Sequence, residues 1–521
     1  MDTDVLIVGA GPTGLMLANQ LGRRGIHTHI IDRHEGPALQ TRALGVQART
    51  LEIYSQLGIV ERALELGKRG TGANLWAQGR KTAHIPLGDA GNRLSPYPFI
   101  LILGQDDNER IMGERLEDWD LSVQWETELV GLAQEPGQVV AKLTVADGAT
   151  RKMTAAWVAG CDGARSAVRE LTGITFPGAP YEHVFFVADV EATGSMVPDQ
   201  VNVYLWRSGF HLFFPMRGAD HWRVVGILPA NLRDRMDVDF DAVVPSVREE
   251  AGASVAFNSC SWFSTYRIHH RVAVRFREQR CFLLGDAAHI HSPVGAQGMN
   301  TGLQDAYNLA WKLALVVQGR ADEALLDSYE EERIPVAQRL LDTTDRGFRL
   351  VVANSRWAGL LRTQVLARLA AFAMRRKKIQ RLAFRTISQI GIHYRESSLS
   401  RTLGSLPRSA PQAGDRFPWL KLRFEAQGPI EDSFQKLEDT HFHLLVFGQA
   451  TPPAGTLPLG NLLRSHWIPA EPGNDAELAR ARIPRPSFYL LRPDGHVGFC
   501  GSRLDVTAML RYVNERLKER R

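Results

Sequence analysis

Cysteine is scarce. The chain has 521 residues and only four cysteines, Cys161, Cys260, Cys281 and Cys500. None forms a Cys-x-x-Cys pair, which excludes a disulfide framework, a cysteine zinc site and dithiol exchange as organising chemistry. A strong excess of one charge is also missing. The 62 Lys and Arg stand against 57 Asp and Glu, a formal +5 spread along the chain, so no nucleic-acid partner is expected. No run of roughly 18 uncharged apolar residues occurs, and no membrane span is expected. Asp2 and Asp4 lead directly into Val5-Leu6-Ile7-Val8 without a basic stretch, unlike a signal peptide. Repeats and low-complexity tracts are absent. With 44% hydrophobic residues, the class that remains is a folded protein of a reducing compartment, expected in the cytoplasm. Its length suggests about three domains.

What is present is most legible at the start. Val5-Leu6-Ile7-Val8 is an apolar run suited to a strand buried on both faces of a parallel sheet. Gly9-Ala10-Gly11-Pro12-Thr13-Gly14 follows, then the helical pattern Leu15-Met16-Leu17-Ala18, and a second strand, His29-Ile30-Ile31, ending at Asp32. Gly9 suits a tight turn, Gly11 lets a pyrophosphate approach the backbone, and Gly14 lets helix and strand pack closely. The helix N-terminus then faces the phosphates with partial positive charge. Asp32, eighteen residues after Gly14, stands where a carboxylate holds ribose hydroxyls. The unit reads as a dinucleotide-binding βαβ.

The texture then changes twice. From about Pro177 to Pro229 the pattern alternates and is rich in aromatics, as in Val201-Asn202-Val203-Tyr204-Leu205-Trp206, which predicts an inserted antiparallel sheet domain, bounded at 177–270. Cys281-Phe282-Leu283-Leu284-Gly285-Asp286 returns to the buried-strand pattern, and 302–378 reads as long helices. A Ser/Pro/Gly-richer linker at 397–418 precedes a small α/β unit. The expected division is therefore 1–176 with 271–396, then 177–270, then 397–521.

Three motifs carry a family resemblance. Gly160-Cys161-Asp162-Gly163-Ala164-Arg165-Ser166-Ala167-Val168-Arg169 resembles the Asp-Gly motif of class A FAD-dependent aromatic hydroxylases, the phenol and aromatic-polyketide hydroxylases. Gly285-Asp286-Ala287-Ala288-His289, with Pro293-Val294-Gly295-Ala296-Gln297-Gly298-Met299-Asn300, resembles their second FAD signature. Gln105 with Glu109-Arg110 matches a further family position. The three main motifs fall in the family's order and spacing over the first 350 or so residues.

This resemblance implies an α/β fold: a Rossmann-like FAD-binding domain (1–176 and 271–396), an inserted antiparallel-sheet substrate domain (177–270) and a C-terminal thioredoxin-like domain (397–521). The last is similar to that domain at Ala413-Gly414-Asp415-Arg416 and Arg492-Pro493-Asp494-Gly495, without its redox pair. Implied too is a single-component monooxygenase in which NADPH or NADH reduces FAD, O2 adds at C4a, and the hydroperoxide hydroxylates a phenolic or polycyclic aromatic substrate. The cofactor set implied is Gly9, Gly11, Pro12, Gly14, Asp32, Arg33, Arg42, Gln105, Leu129, Asp162, Gly285, Asp286, Pro293, Gly298, Met299 and Asn300. In it Asp286 meets the ribityl chain, and the N–H groups of Gly298, Met299 and Asn300 face the N1–C2=O edge, where charge develops on reduction. Arg42 and Gln105 lie near phosphates and ribityl, Leu129 near adenine, and Pro293 by the reactive face. A homodimer is one assembly the resemblance allows.

Other readings stay open. Arg33 and Arg42 suit either a 2′-phosphate of NADPH or the FAD phosphates. His289 and His291, with His269-His270 upstream, have the alternation of a metal site, though the signature already accounts for His289, and no metal is assigned. A phenol needs a proton acceptor to be attacked by electrophilic oxygen, and His211, Tyr266 and His269 are the candidates. The apolar segment 348–373, ending in Arg375-Arg376-Lys377-Lys378, suits either a membrane-surface helix or one packed on the FAD domain. Within the family, Baeyer–Villiger oxidation or epoxidation of a polyketide is the nearest alternative. A flavin dehydrogenase without oxygen insertion and a non-enzymatic flavin sensor are the others.

Overall fold

Val5, Leu6 and Ile7 are wholly buried because their strand, Thr3–Val8, lies in the middle of a sheet. It runs parallel to Thr28–Ile31 on one side and to Thr150–Gly160 on the other. Cys281–Leu283 adds in parallel beyond Thr150–Gly160, Val123–Gln124 beyond Thr28–Ile31, and the hairpin Glu128–Glu135/Gln138–Thr144 pairs antiparallel. The strand pattern read from sequence thus maps onto a mixed α/β fold. In this computed structural model the described residues are 1–38, 43–77, 79–86, 90–206, 209–233, 235, 237–251, 255–291, 297–352, 372–374, 376–453 and 455–517. Arg42 and Pro293 lie outside them, as does most of segment 348–373.

The second sheet has eight strands, in the order His289–Ile290, Ala256–Val272, Gly178–Thr193, His221–Ile227, Gly209–Pro215, Val201–Trp206, Gly72–Ala77 and Arg80–Pro86. It reaches beyond 177–270. Gly72–Ala77 pairs in parallel with Val201–Trp206, so residues assigned from sequence to the first domain complete the sheet. Trp76 is the reason that edge closes: its ring stacks on Tyr204 at 5.4 Å, and its indole N–H donates to Asn202 Oδ1 at 3.0 Å. The two faces differ. Phe186, Ala188, Phe213 and Val224 pack under Val243 and Val247 of the helix Phe240–Ala251. Phe185, Phe210 and Ile227, with Tyr266 and Leu212, form a separate aromatic cluster on the opposite face.

Of the long helices expected over 302–378, two lie among the described residues. Helix Gly298–Val317 ends at a turn in which Gly319 has a φ of +68°, and helix Asp327–Val352 starts afresh. A five-stranded sheet then gathers Arg401–Leu403, Val497–Gly501, Ser487–Leu491, Phe442–Phe447 and Leu463–Ile468. The linker expected at 397–418 therefore contains a strand.

Charged side chains join this last unit to the first. Arg492 grips Glu332 through Nη1 at 2.5 Å and Nη2 at 3.0 Å. Lys312 Nζ donates to Glu332 Oε2 at 2.8 Å. All three side chains are fully buried, and Arg492 also pairs with Asp494. Burial pushes the Glu332 carboxyl up, but Arg492 and Lys312 outweigh it and hold it down at about 2. Burial presses Lys312 down to about 8 against the pull of Glu332. Beside this cluster, Arg49 donates to the Asp494 carbonyl at 2.6 Å, and Arg416 reaches across to Glu52.

Candidate active site

The first turn is built around three glycines with different surroundings. Gly9 has a φ of +103°, and a Cβ there would lie 2.5 Å from the Cys161 carbonyl oxygen. A Cβ on Gly14 would stand 1.9 Å from the Gly9 carbonyl oxygen. At Gly11 a Cβ would meet nothing within 4 Å. Two of these glycines are thus demanded by protein packing, whereas Gly11 opens onto space at the N-cap of helix Pro12–Gly22, which has no side-chain cap. First-turn amides of a helix have no intrahelical acceptor and attract anions.

Asp32 is more occupied than expected. Its Oδ2 accepts the Ala10 N–H at 2.7 Å and its Oδ1 the His34 N–H at 2.9 Å, so it ties the glycine turn to the second strand. Arg33 is exposed. Gln105 opens helix Gln105–Leu116 and donates to Glu109 at 2.8 Å. Burial raises the Glu109 carboxyl, and Glu109 in turn accepts the Ala38 N–H at 3.1 Å. Leu129 is a buried core residue two positions after Thr127, whose N–H donates to the Asp32 carbonyl at 2.8 Å.

Asp162 Oδ2 accepts the Val168 N–H at 3.1 Å. Arg169 donates to the carbonyls of Ala164 at 2.8 Å and Ala287 at 2.9 Å, which fastens the Asp-Gly loop to the Gly285–Ala287 turn. In that turn Asp286 is exposed while Gly285, Ala287 and Ala288 are buried. Asp305 accepts the Gly285 N–H at 3.0 Å and pairs with His289 Nε2 at 2.7 Å. His289 is thereby committed to holding the turn. Among the described residues no group of three His, Cys, Asp or Glu is placed to hold a metal.

Gly298, Met299 and Asn300 form the first turn of helix Gly298–Val317, whose N-cap Gln297 makes no side-chain cap bond. Asn300 anchors this end: Oδ1 accepts from the Gln47 N–H at 2.8 Å and Thr50 Oγ1 at 2.7 Å, while Nδ2 donates to the Gly45 carbonyl at 2.7 Å. An open glycine at one helix N-terminus, a second uncapped helix N-terminus and an exposed carboxylate on a buried turn fit a dinucleotide bearing a redox ring. Gly11, Asp286 and the amides of Gly298, Met299 and Asn300 are the groups that would hold it.

The family model described as an FAD binding domain matches residues 2–344. The 6-methylpretetramide 4-monooxygenase of Streptomyces rimosus is 33% identical over 97% of this chain and 92% of its own. The chain belongs to the class A FAD-dependent aromatic hydroxylases. The pentachlorophenol 4-monooxygenase of Sphingobium chlorophenolicum is 32% identical, over 90% of this chain and 85% of its own. A solved structure, the anhydrotetracycline hydroxylase of Streptomyces rimosus, superposes with a TM-score of 0.79 at 26% identity, covering 100% of both chains. This protein is accordingly a flavoprotein monooxygenase with FAD as its cofactor.

In this hydroxylase a cavity of about 330 Å³ lies between the FAD-binding part and the second sheet. Leu44, Ile102 and Gly104 line one side, and Asp189, Arg223 and Trp262 the other. Leu44 is adjacent to Gly45, the residue held by Asn300, so the cavity borders the loop anchored by the second flavin motif. Arg223 is fixed by Asp189, with Nε to Oδ1 and Nη2 to Oδ2 both at 2.5 Å, and lies 5.2 Å from the Trp262 ring.

The three candidate proton acceptors are not brought together. Tyr266 stands on the aromatic face with Asp189 and Trp262, its ring 6.0 Å from Phe185. His211 shares the parity of Phe213 and lies fully buried beside Phe186 on the helix-covered face. That placement removes His211 from the cavity side. His269 is half-buried near the strand end that meets His289–Ile290, and burial, Arg271 and His270 lower its pKa.

Sequence reasoning missed Asp305, Arg333, Asn308 and Lys312, and gave Arg169, the last residue of the Asp-Gly motif, no role of its own. One signal was available. Asp305, Asn308 and Lys312 recur at helical spacing in a stretch otherwise of Leu, Ala and Trp, and a polar stripe inside an apolar helix marks a buried network. Asp189 and Trp262 carried no local signal, since their meeting depends on strand register.

Proposed function

We propose that this hydroxylase oxidises a polycyclic or substituted phenol bound in the cavity between the aromatic face of the second sheet and the loop anchored by Asn300. The observation that carries the reading is the position of that cavity. It is bordered on one side by residues next to the second flavin motif and on the other by Trp262 and the Asp189–Arg223 pair. FAD, when bound, takes electrons from NADPH or NADH and delivers one atom of O2 to the substrate. The chain's residues do the rest. Trp262 gives an aromatic ring a stacking surface. Arg223, held rigid by Asp189, offers a fixed cation to a phenolate, and Tyr266 on the same face is the group nearest in kind to a proton relay. The 6-methylpretetramide and pentachlorophenol in the names of the two relatives support a phenolic ring system.

The C-terminal unit is proposed to be a thioredoxin-like domain with a structural role. Its Cys500 is buried, and burial pushes the thiol up to about 11, where little reactive thiolate exists.

The test is consumption of NADPH or NADH and of oxygen by FAD-loaded protein, with a panel of phenols and hydroxyquinones under labelled O2. Substrate-stimulated consumption with one labelled atom in a ring hydroxyl is expected. Turnover without label would overturn oxygen insertion, and a labelled ester or epoxide would move the reaction to the alternatives named above. A Trp262→Ala variant is expected to raise KM for the substrate about tenfold while FAD affinity stays unchanged. Equal loss of both would place Trp262 in the fold and not in the substrate site.

A further inference from the structure

One guanidinium holds helix Gly298–Val317 directly and the Gly285 turn through Asp305. Arg333 lies on helix Asp327–Val352, outside every flavin motif, and is fully buried. Its Nε donates to Asp305 Oδ1 at 2.6 Å, and Asp305 Oδ2 accepts the Gly285 N–H. Its Nη2 donates to the Thr301 carbonyl at 3.2 Å, in the first turn of helix Gly298–Val317. Its Nη1 donates to Tyr394 Oη at 2.9 Å. The Tyr394 ring lies 4.4 Å from His496, and the Tyr394 N–H donates to the Gly414 carbonyl at 2.8 Å. The two flavin-facing elements are in close contact as well. A Cβ on Gly302 would meet Gly285 Cα at 3.1 Å and Thr13 Oγ1 at 2.4 Å, so a small movement of either element is passed to the other.

We propose that Arg333 is the positioning residue that fixes the Asp286 turn and the Gly298 helix N-terminus at one spacing, and that Tyr394 couples this spacing to docking of the C-terminal domain. The inference rests on the reading that these two elements hold FAD. Planarity is the reason arginine is required: three donors of one rigid fork reach a carboxylate, a backbone carbonyl and a phenol oxygen in fixed directions. A lysine keeps the charge and loses the geometry. Tyr394 sets the third direction, and its ring is pinned by the domain that carries His496.

The experiment compares parent, Arg333→Lys, Tyr394→Phe and, as a variant of the domain junction beside Tyr394, Arg492→Lys. FAD affinity is read by fluorescence titration, the bound flavin by its absorption spectrum and reduction potential, and the FAD-free protein by amide exchange at Gly285 and by Tm. Arg333→Lys is expected to weaken FAD binding at least tenfold, shift the flavin spectrum and speed Gly285 exchange. Tyr394→Phe is expected to do the same by a few-fold with Tm little changed. Arg492→Lys is expected to lower Tm and, through the Tyr394 ring 5.4 Å away, to alter FAD affinity and spectrum less than Tyr394→Phe does. If Tyr394→Phe leaves affinity, spectrum and exchange unchanged, the coupling is wrong. If both Arg333→Lys and Arg492→Lys lower Tm and neither alters the flavin, Arg333 is only structural. Failure of the parent to bind FAD would instead remove the reading beneath the proposal.

Discussion

A Gly11→Ala variant is expected to fold at least as well as the parent and to bind FAD at least tenfold more weakly. The two effects part because of where the new methyl goes. Gly11 has φ −71° and ψ −177°, extended backbone open to any residue, and its Cβ direction meets no protein atom within 4 Å. Replacing glycine at such a site removes entropy from the unfolded chain and stabilises by about 0.4–1 kcal/mol. The same methyl occupies the approach of a pyrophosphate to the helix N-terminus, and a tenfold loss corresponds to about 1.4 kcal/mol. Gly14→Ala is the contrasting case. Its methyl would sit 1.9 Å from the Gly9 carbonyl oxygen, backbone that cannot rotate away, and such overpacking costs about 1–3 kcal/mol or more. Thermal unfolding of the FAD-free proteins and FAD titration separate the two. Unchanged FAD affinity in Gly11→Ala would show that the open side of Gly11 is not where the phosphates lie.

Glu332→Gln is expected to destabilise the protein by about 3–5 kcal/mol, the range for removing one partner of a buried ion pair. The substitution keeps the shape and leaves Arg492 and Lys312 without the carboxylate both point at. Acid should reproduce the effect in the parent. The folded-state value of Glu332 lies near 2, below its ordinary 4.5, so the unfolded chain binds the extra proton between these values. Its contribution is therefore fully present above about pH 4.5 and is lost as pH falls toward 2, amounting to roughly 3 kcal/mol. Chemical denaturation between pH 7 and 3 checks this. The Gln variant should lose stability with acid less steeply, by one proton's share, and parallel curves would show that Glu332 is not held down by its partners.

How much of this was legible in the sequence depends on how local the cause is. Gly9 and Gly14 announce themselves because backbone contacts admit no side chain there, and Gly285 because its φ is +59° and the Thr13 side chain crowds it; such demands leave one residue type. The glycine turns could therefore be read directly. The edge strands Gly72–Ala77 and Arg80–Pro86 could not, since Trp76 finds Asn202 across 126 residues and no local pattern specifies a partner that distant. The exclusion of His211 from the cavity side follows from the two-residue period of a strand, once Phe213 is known to face the helix. Glu332, Lys312 and Arg492 were hidden for a statistical reason: charged residues mostly lie at the surface, and only their mutual pairing permits them inside.

That junction also sets a schedule for biogenesis. Glu332 meets Arg492 across 160 residues of chain. At ribosomal speeds of about 5–20 residues per second, roughly ten to thirty seconds separate the appearance of the two. During that interval Glu332 and Lys312 have each other but lack the cation and the sheet that bury them. The FAD-binding part cannot close its inner face until the end of the chain arrives. A nascent chain stalled before Arg492 should accordingly stay protease-sensitive around helix Asp327–Val352, a molecule whose nucleotide turn is complete well before its final fold is sealed.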